Sequence, residues 1–275
     1  MLVSGRTLQA DHVVLCVGVR PENSLARDAN LEIGPRGGIR VNQHMQTSDP
    51  DIYAVGDAVE TRDALTGAPT QVPLAGPANR QGRVAADHIF GRPSVFRGIQ
   101  GTAIVGVFGM TAAMTGQSEK ALRRANRAYE KVYLHPTHHA SYYPGAEPMT
   151  IKLLFEPSTG QILGSQIVGT LGVDKRIDVL AIAIQAGMTA FDLEEAELAY
   201  APQYGSAKDP INMAGFVAAN IVRGDVQVAH AEDHAETLVL DVRTPAEFRD
   251  GHIPGAVNIP LEELRQRVGE LEKNQ

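Results

Sequence analysis

The sequence predicts a chain of mixed α/β and α+β architecture, and three features carry that expectation. Short apolar runs closed by Gly, Pro and Asp stand beside a segment of helical period in its first hundred residues. MTIKLLFEPSTGQILGSQIVG, Met149 to Gly169, is two apolar runs joined by a Pro-Ser-Thr-Gly turn, which is the pattern of an antiparallel hairpin. Beyond a polar stretch, LVLDVRTPAEFRDGHIPGAVNIPLEEL starts a new strand–helix–strand–helix unit.

Taken in order, HVVLCVGV (His12 to Val19) reads as a strand after a polar, hairpin-like SGRTLQAD, with Cys16 inside it as a small buried hydrophobe. Short strands are expected near Gly38 to Val41 and Ile52 to Val55. A helix should begin within PLAGPANRQGRVAADHIFG, with Pro77 in its first turn and Gly91 just past its end. Ala78, Gly82, Ala85 and Ala86 leave that helix thin, so a close neighbour is expected. TAIVGVF and KVYLH follow as strands, and EKALRRANRA reads as a solvent-exposed charged helix face. VDKRIDVLAIAIQAG is a helix with Ile177, Leu180, Ala181 and Ile184 on one face and Gly187 as its stop. The last long helix has Pro210 near its start and ends at Gly224, and DVQVAHAEDHAET reads as a linker. No internal repeat is evident.

With 275 residues, 43% of them hydrophobic, the chain is long enough for two ordinary domains. Its 25 Lys and Arg against 32 Asp and Glu give −7, without a long basic run, which argues against nucleic acid or an anionic membrane as partner. No apolar stretch approaches a membrane span, and no signal peptide is recognisable, so a cytoplasmic location is expected. A single cysteine excludes an internal disulfide framework and a four-cysteine zinc site. His135, His138 and His139 lack a neighbouring carboxylate or thiolate to complete a metal site and read as solvated loop residues, so no metal is expected.

TSDPDIYAVGDAVE, Thr47 to Glu60, sets Gly56 and Asp57 where an apolar run stops. A carboxylate at a strand tip is suited to the vicinal hydroxyls of a nucleotide's sugar, though Gly-Asp is also an ordinary turn. Together with VPLAGPANRQGRVAADHIFG, this stretch resembles the second flavin-contacting motif of the pyridine nucleotide-disulfide oxidoreductases. The resemblance implies FAD as cofactor and NADH or NADPH as co-substrate. It assigns Asp57, with Gly56, to the ribitol and pyrophosphate region, and the main-chain N–H groups of Leu74 and Ala75 to the flavin ring. VVLCVGVRPE is similar to the end of the family's NAD(P)H-binding domain, which implies that Gly18 leaves room for the nicotinamide; a strand-end glycine is the plain alternative.

From about Ile99 to Arg223 the chain resembles the family's dimerisation domain, and so implies a homodimer. GTAIVGVFGMTAAMTG, SYYPGAEPM and AYAPQYGSAKDPINMAGFVAANI are similar to the coenzyme A-disulfide reductase and NADH oxidase-like branch. By motif position, Tyr142 and Tyr200 are then the catalytic tyrosines presented to the partner's active site, with Tyr143 and Tyr204 as close alternatives and simple interface anchoring as the rival role. A phenol that stays protonated at neutral pH suits donation to a nascent thiolate. The substrate implied is coenzyme A disulfide, a persulfide or a polysulfide. Asp241, Arg243, Glu247, His252, Ile253, Gly255 and Ala256 resemble the first half of a rhodanese domain, without the family's later cysteine.

The organisation implied is 1–20 the end of an NAD(P)H-binding domain, 21–94 the C-terminal part of an FAD-binding doubly wound domain, 95–223 the α+β dimerisation domain, 224–236 a linker, and 237–275 a partial rhodanese-like α/β unit. The family's first glycine motif, its redox cysteine and its second glycine motif do not occur in these residues. The chain is therefore expected to be a remnant that binds FAD poorly and is not active by itself. The alternative is a non-catalytic dimerisation module.

Overall fold

A computed structural model describes residues 4–230 and 238–271, and the chain divides into two compact units, Met1–Val222 and Arg223–Gln275. In the first, helix α1 (Ser24–Asp28) precedes a small sheet in which β1 (Ile39–Arg40) runs parallel to β2 (Val59–Arg62), and β2 antiparallel to β3 (Pro69–Thr70). Glu60 of β2 is buried, and Arg40 on the adjacent strand pairs with it at 3.3 Å, which supplies the counter-charge that an interior carboxylate requires. Helix α2 (Ala75–Ile89) follows, with Pro77 in its first turn and Gly91 just beyond its end at φ 74°. Its Gln81, Val84 and Ala85 are buried, and the two apolar residues join Met45, Phe96 and Ile99 in one core cluster.

The larger part of this unit is a five-stranded antiparallel sheet in the order β4-β5-β8-β7-β6, made of Ala103–Val107, Met110–Gly116, Ile162–Gly169, Met149–Phe155 and Glu130–Leu134. The expected hairpin is its centre: Ile151 pairs with Ile167 and Leu153 with Ser165. Alternate residues Ile151, Leu153 and Phe155 enter a core shared with Ile177, Leu180 and Ile184 of α4 (Val173–Gln185) and Ile211, Ala214 and Ala218 of α6 (Pro210–Arg223). The opposite pleat brings Leu154 and Leu163 to Leu122 of α3 (Glu119–Arg124), as the two-residue period of a strand requires. Short α5 (Ala190–Glu194) packs against α6 where Gly215 has no side chain; a Cβ there would lie 2.5 Å from the Glu194 main-chain nitrogen.

Several of these expectations fail, each for a physical reason. Residues 12–19 form no strand, and Val13, Val14, Leu15, Val17 and Val19 are 76–91% exposed. Apolar content alone does not make a strand, and no described strand offers this run a ladder. The hairpin-like residues before it are likewise irregular, and Cys16 is exposed rather than buried. Residues 52–55 contribute only a single bridge, between Tyr53 and Gln46, because the chain closes on itself in a turn at Asp49, where Ile52 N–H meets the Asp49 carbonyl at 3.1 Å.

His139 is buried, its Nδ1 3.1 Å from the Ala140 carbonyl, so it is no solvated loop residue. Nor is the charged face of α3 simply solvated. Glu119 is mostly buried and receives Tyr129 Oη at 2.8 Å, Lys131 Nζ at 3.2 Å, Arg123 Nη2 at 2.5 Å, and Lys152 Nζ. Burial alone would raise its carboxyl, but the hydrogen bonds from Lys152, Tyr129 and Lys131 win and hold it at about 2. A carboxylate so depressed stabilises the fold above its ordinary value of 4.5, and the contribution fades as the pH falls toward 2. Glu119→Gln is expected to cost on the order of 1–2 kcal/mol at pH 6, discounted for solvent screening, and almost nothing near pH 2. Urea midpoints of both proteins across that range check it; a penalty independent of pH would refute it.

The second unit is a βαβ arrangement in which β9 (Leu240–Asp241) and β10 (Val257–Asn258) pair in parallel around α7 (Pro245–Asp250), followed by α8 (Leu261–Arg267). Thr244 and Glu247 close a reciprocal capping box at the start of α7, with Pro245 in the first turn. Ile259 is buried, whereas α7 and α8 bury none of their residues. Of the linker expected at 224–236, residues 231–236 lie outside the described residues. Among the described residues, no helix is long and apolar enough to cross a membrane.

Candidate active site

Two constellations emerge, one around Asp57 and one around the tyrosines. Gly56 adopts φ 86°, a backbone conformation costly for any residue with a Cβ. Its N–H donates to Oε1 of Gln81 at 2.7 Å. Gln81 is 1% exposed, so this bond clamps the Gly56-Asp57 turn onto the second turn of α2. Gln71 Nε2 donates to the Asp57 carbonyl at 3.2 Å. The Asp57 carboxylate itself is exposed and has no protein hydrogen-bond partner among the described residues, leaving both oxygens available to a ligand's hydroxyls.

The start of α2 is equally open. Leu74 is its N-cap and no side chain caps it, and the first turn holds no acidic residue. Initial N–H groups of a helix need acceptors, and the partial positive charge there favours an electron-rich one. A Cβ placed on Gly76 or Gly82 would meet nothing within 4 Å. An uncapped helix start clamped beside a free carboxylate is a donor and acceptor set whose chemistry fits FAD. Gly18 lies in the exposed irregular segment at φ 97°, with nothing within 4 Å of an added Cβ, and the structure does not bring it to this turn by any contact.

Tyr142 and Tyr200, 58 residues apart, meet through their hydroxyls at 3.0 Å. That hydrogen bond holds the Tyr200 phenol above the usual tyrosine range, so it remains a donor at neutral pH. Both rings are exposed, at 74% and 47%. Tyr143 instead packs edge-on against His139 at 5.7 Å, and Tyr204 is exposed without a partner hydroxyl among the described residues.

The loops carrying the pair are fixed from below. Arg176 of α4, 1% exposed, donates to both Asp209 oxygens, at 3.3 and 2.7 Å, and to the His138 carbonyl at 2.7 Å. Asp209 in turn accepts from Ile211 N–H at 3.1 Å at the start of α6. Asn212 donates to the carbonyls of Leu193 and Ala196 at 3.1 and 2.9 Å, anchoring the loop after α5. Ala140 N–H reaches the Gly205 carbonyl at 2.9 Å, stitching the two loops together. Gln81, Arg176 and Asp209 were given no role by motif reading. For Gln81 and Arg176 the signal was a polar side chain on the buried stripe of an amphipathic helix, which demands a partner, and for Asp209 it was an acidic residue directly before Pro210 at a helix start.

An open helix start beside a free carboxylate, and a hydrogen-bonded tyrosine pair, are thus displayed on an α/β and α+β scaffold. The chain belongs to the pyridine nucleotide-disulphide oxidoreductase family, which uses FAD and NAD(P)H: residues 1–82 match that family and residues 102–209 its dimerisation domain. Residues 225–275 match the rhodanese-like domain. The coenzyme A disulfide reductase of Staphylococcus aureus (strain bovine RF122 / ET3-1) is 37% identical over 216 residues, 78% of this chain and 49% of that protein. Reduced Bacillus anthracis CoADR-RHD superposes with a TM-score of 0.93 at 48% identity, covering 99% of this chain and 50% of that one. A NAD-dependent persulfide reductase from A. fulgidus gives 0.85 at 40% identity, over 94% and 47%. The chain spans about half the length of the curated relatives it matches.

Proposed function

We propose that these residues form part of a homodimeric, FAD-dependent NAD(P)H:disulfide oxidoreductase acting on coenzyme A disulfide, a persulfide or a polysulfide. FAD, when bound, relays an electron pair from NAD(P)H toward a disulfide. In this reading Asp57 accepts hydrogen bonds from the cofactor's polyol, and the N–H groups at the start of α2 face the ring. Tyr142 orients Tyr200, whose retained proton is donated to the thiolate released when the disulfide opens. The dimerisation match supports the homodimer.

The observation that carries the reading is the phenol pair: two tyrosines from distant loops, exposed yet held together at 3.0 Å by a buried ionic scaffold. A pair serving only as apolar anchors has no need for that hydroxyl contact. The test is a chimera in which the N-terminal half of the Bacillus anthracis relative precedes this chain. It is expected to oxidise NADH or NADPH in the presence of coenzyme A disulfide or a persulfide. Tyr200→Phe should lower kcat by about 10- to 100-fold, the loss of one or two hydrogen bonds to a charged group. Tyr142→Phe should lower it less and bring the Tyr200 phenol back toward the ordinary tyrosine value. Unchanged turnover in both variants, or no sulfur-dependent oxidation, would reject the assignment. The non-catalytic alternative predicts cofactor-independent dimers with no such turnover.

A further inference from the structure

Ala140 occupies the crossing of the two loops that carry the tyrosine pair. Its N–H donates to the Gly205 carbonyl at 2.9 Å, and its carbonyl accepts the N–H of Tyr143 at 2.9 Å, which closes a turn over residues 140–143 with Tyr142 inside it. A second donor reaches the same carbonyl: Nδ1 of His139, at 3.1 Å. A carbonyl oxygen only accepts, so this bond requires a proton of His139 on Nδ1. The oxygen that closes the Tyr142 turn is thereby held from two directions.

His139 is 4% exposed. Its ring is tilted against that of His138, with centroids 4.1 Å apart, and meets the Tyr143 ring edge-on at 5.7 Å, which restrains the plane of the imidazole. The main chain beneath it is fixed as well: Thr137 Oγ1 donates to the His139 carbonyl at 2.7 Å, and Arg176 Nη2 to the His138 carbonyl at 2.7 Å. Burying an imidazole carries a desolvation cost that an apolar ring of similar size avoids, so what the polar ring contributes here is the bond to Ala140.

We infer that His139 is a positioning residue: its Nδ1–H holds the Ala140 carbonyl and so sets Tyr142 where its hydroxyl meets that of Tyr200. The effect of His139 on turnover rests on the proposed catalytic reading of the tyrosine pair, whereas its placement of Tyr142 does not.

Two variants separate the bond from the bulk. His139→Phe keeps a ring and removes the donor; His139→Asn loses the ring but sets an amide N–H close to the place of Nδ1. In the 275-residue chain with ring-labelled tyrosine, magnetic resonance reads the ionisation of Tyr200, its signal assigned by its loss in Tyr200→Phe. His139→Phe is expected to bring the Tyr200 phenol down toward the ordinary tyrosine value, and His139→Asn to leave it near that of the parent. In the chimera, His139→Phe should lower kcat by about 5- to 10-fold, the effect of roughly one neutral hydrogen bond, with KM for the nicotinamide substrate unchanged, and His139→Asn should keep most of the rate. Thermal unfolding accompanies each variant, and His139→Leu repeats the comparison if the phenyl ring does not fit. A Tyr200 titration that stays in place in folded His139→Phe, or moves as far in His139→Asn, would overturn the inference. A moved titration with unchanged turnover would support the placement of Tyr142 and tell against the catalytic reading of the pair.

Discussion

Arg176→Ala is expected to destabilise the first unit by about 3–5 kcal/mol, the loss that follows when one partner of a buried ion pair is removed and the other stays behind. Asp209, its side chain 3% exposed, would keep a negative charge with only Lys175 nearby, 3.9 Å away. The His138 and Gly172 carbonyls would lose a shared donor as well. Asp209→Ala should cost a similar amount, because it strands an equally buried guanidinium. Arg176→Met combined with Asp209→Ala should recover much of the loss, since no unpaired charge then remains. Urea unfolding of the three variants measures this; single losses below about 1 kcal/mol would mean that water reaches the pair. Because this pair underlies both tyrosine loops, the 3.0 Å contact between the phenols should loosen in the single variants, and Tyr200 should titrate nearer to an ordinary tyrosine.

Asp57→Ala, in the flavin-loaded chimera, should weaken FAD by roughly 100-fold. Two charge-assisted hydrogen bonds to hydroxyls are at stake, each contributing on the order of 1.5 kcal/mol, and every 1.4 kcal/mol is a factor of ten. Asp57→Asn keeps a neutral acceptor and should lose about 10-fold. Gln81→Leu separates position from contact: it leaves Asp57 intact but removes the acceptor that Gly56 N–H finds inside the helix. If the clamp positions the turn, that variant should also bind flavin less tightly while its stability falls by about 1–3 kcal/mol for the orphaned donor. Fluorescence quenching of FAD on titration reads all three. A dissociation constant unchanged within twofold in Asp57→Ala would remove this residue from the cofactor site.

The parts of this fold legible in the sequence were those whose pattern and punctuation agree. The 149–169 hairpin declared itself by two apolar runs and a glycine turn, and α2, α4 and α6 by period together with Pro near the start or Gly at the stop. Where only composition spoke, the reading failed. The 12–19 run has every property of a buried strand except a neighbour to bond with. The α3 charges looked like a solvated face because Lys131 and Lys152, which bind Glu119, come from strands beyond the helix itself.

The site was visible in the same uneven way. Asp57, Tyr142 and Tyr200 stood out through motifs, whereas the 3.0 Å contact between the two phenols had no signature in either stretch. Gln81 and Asp209 lie inside motif stretches that gave them no role, and Arg176 lies in none, since their work is to hold others. Local sequence carries little trace of contacts that span 25 or 33 positions.

A ribbon of valine and leucine whose main-chain donors and acceptors find no partner among the described residues is a template for any extended peptide that reaches it. Two molecules brought together at high concentration could zip along it and seed insoluble stacks, so laboratory handling of this polypeptide should favour dilution or an added companion strand. Capping that ribbon, before any chemistry is attempted, decides how much of the material remains in solution.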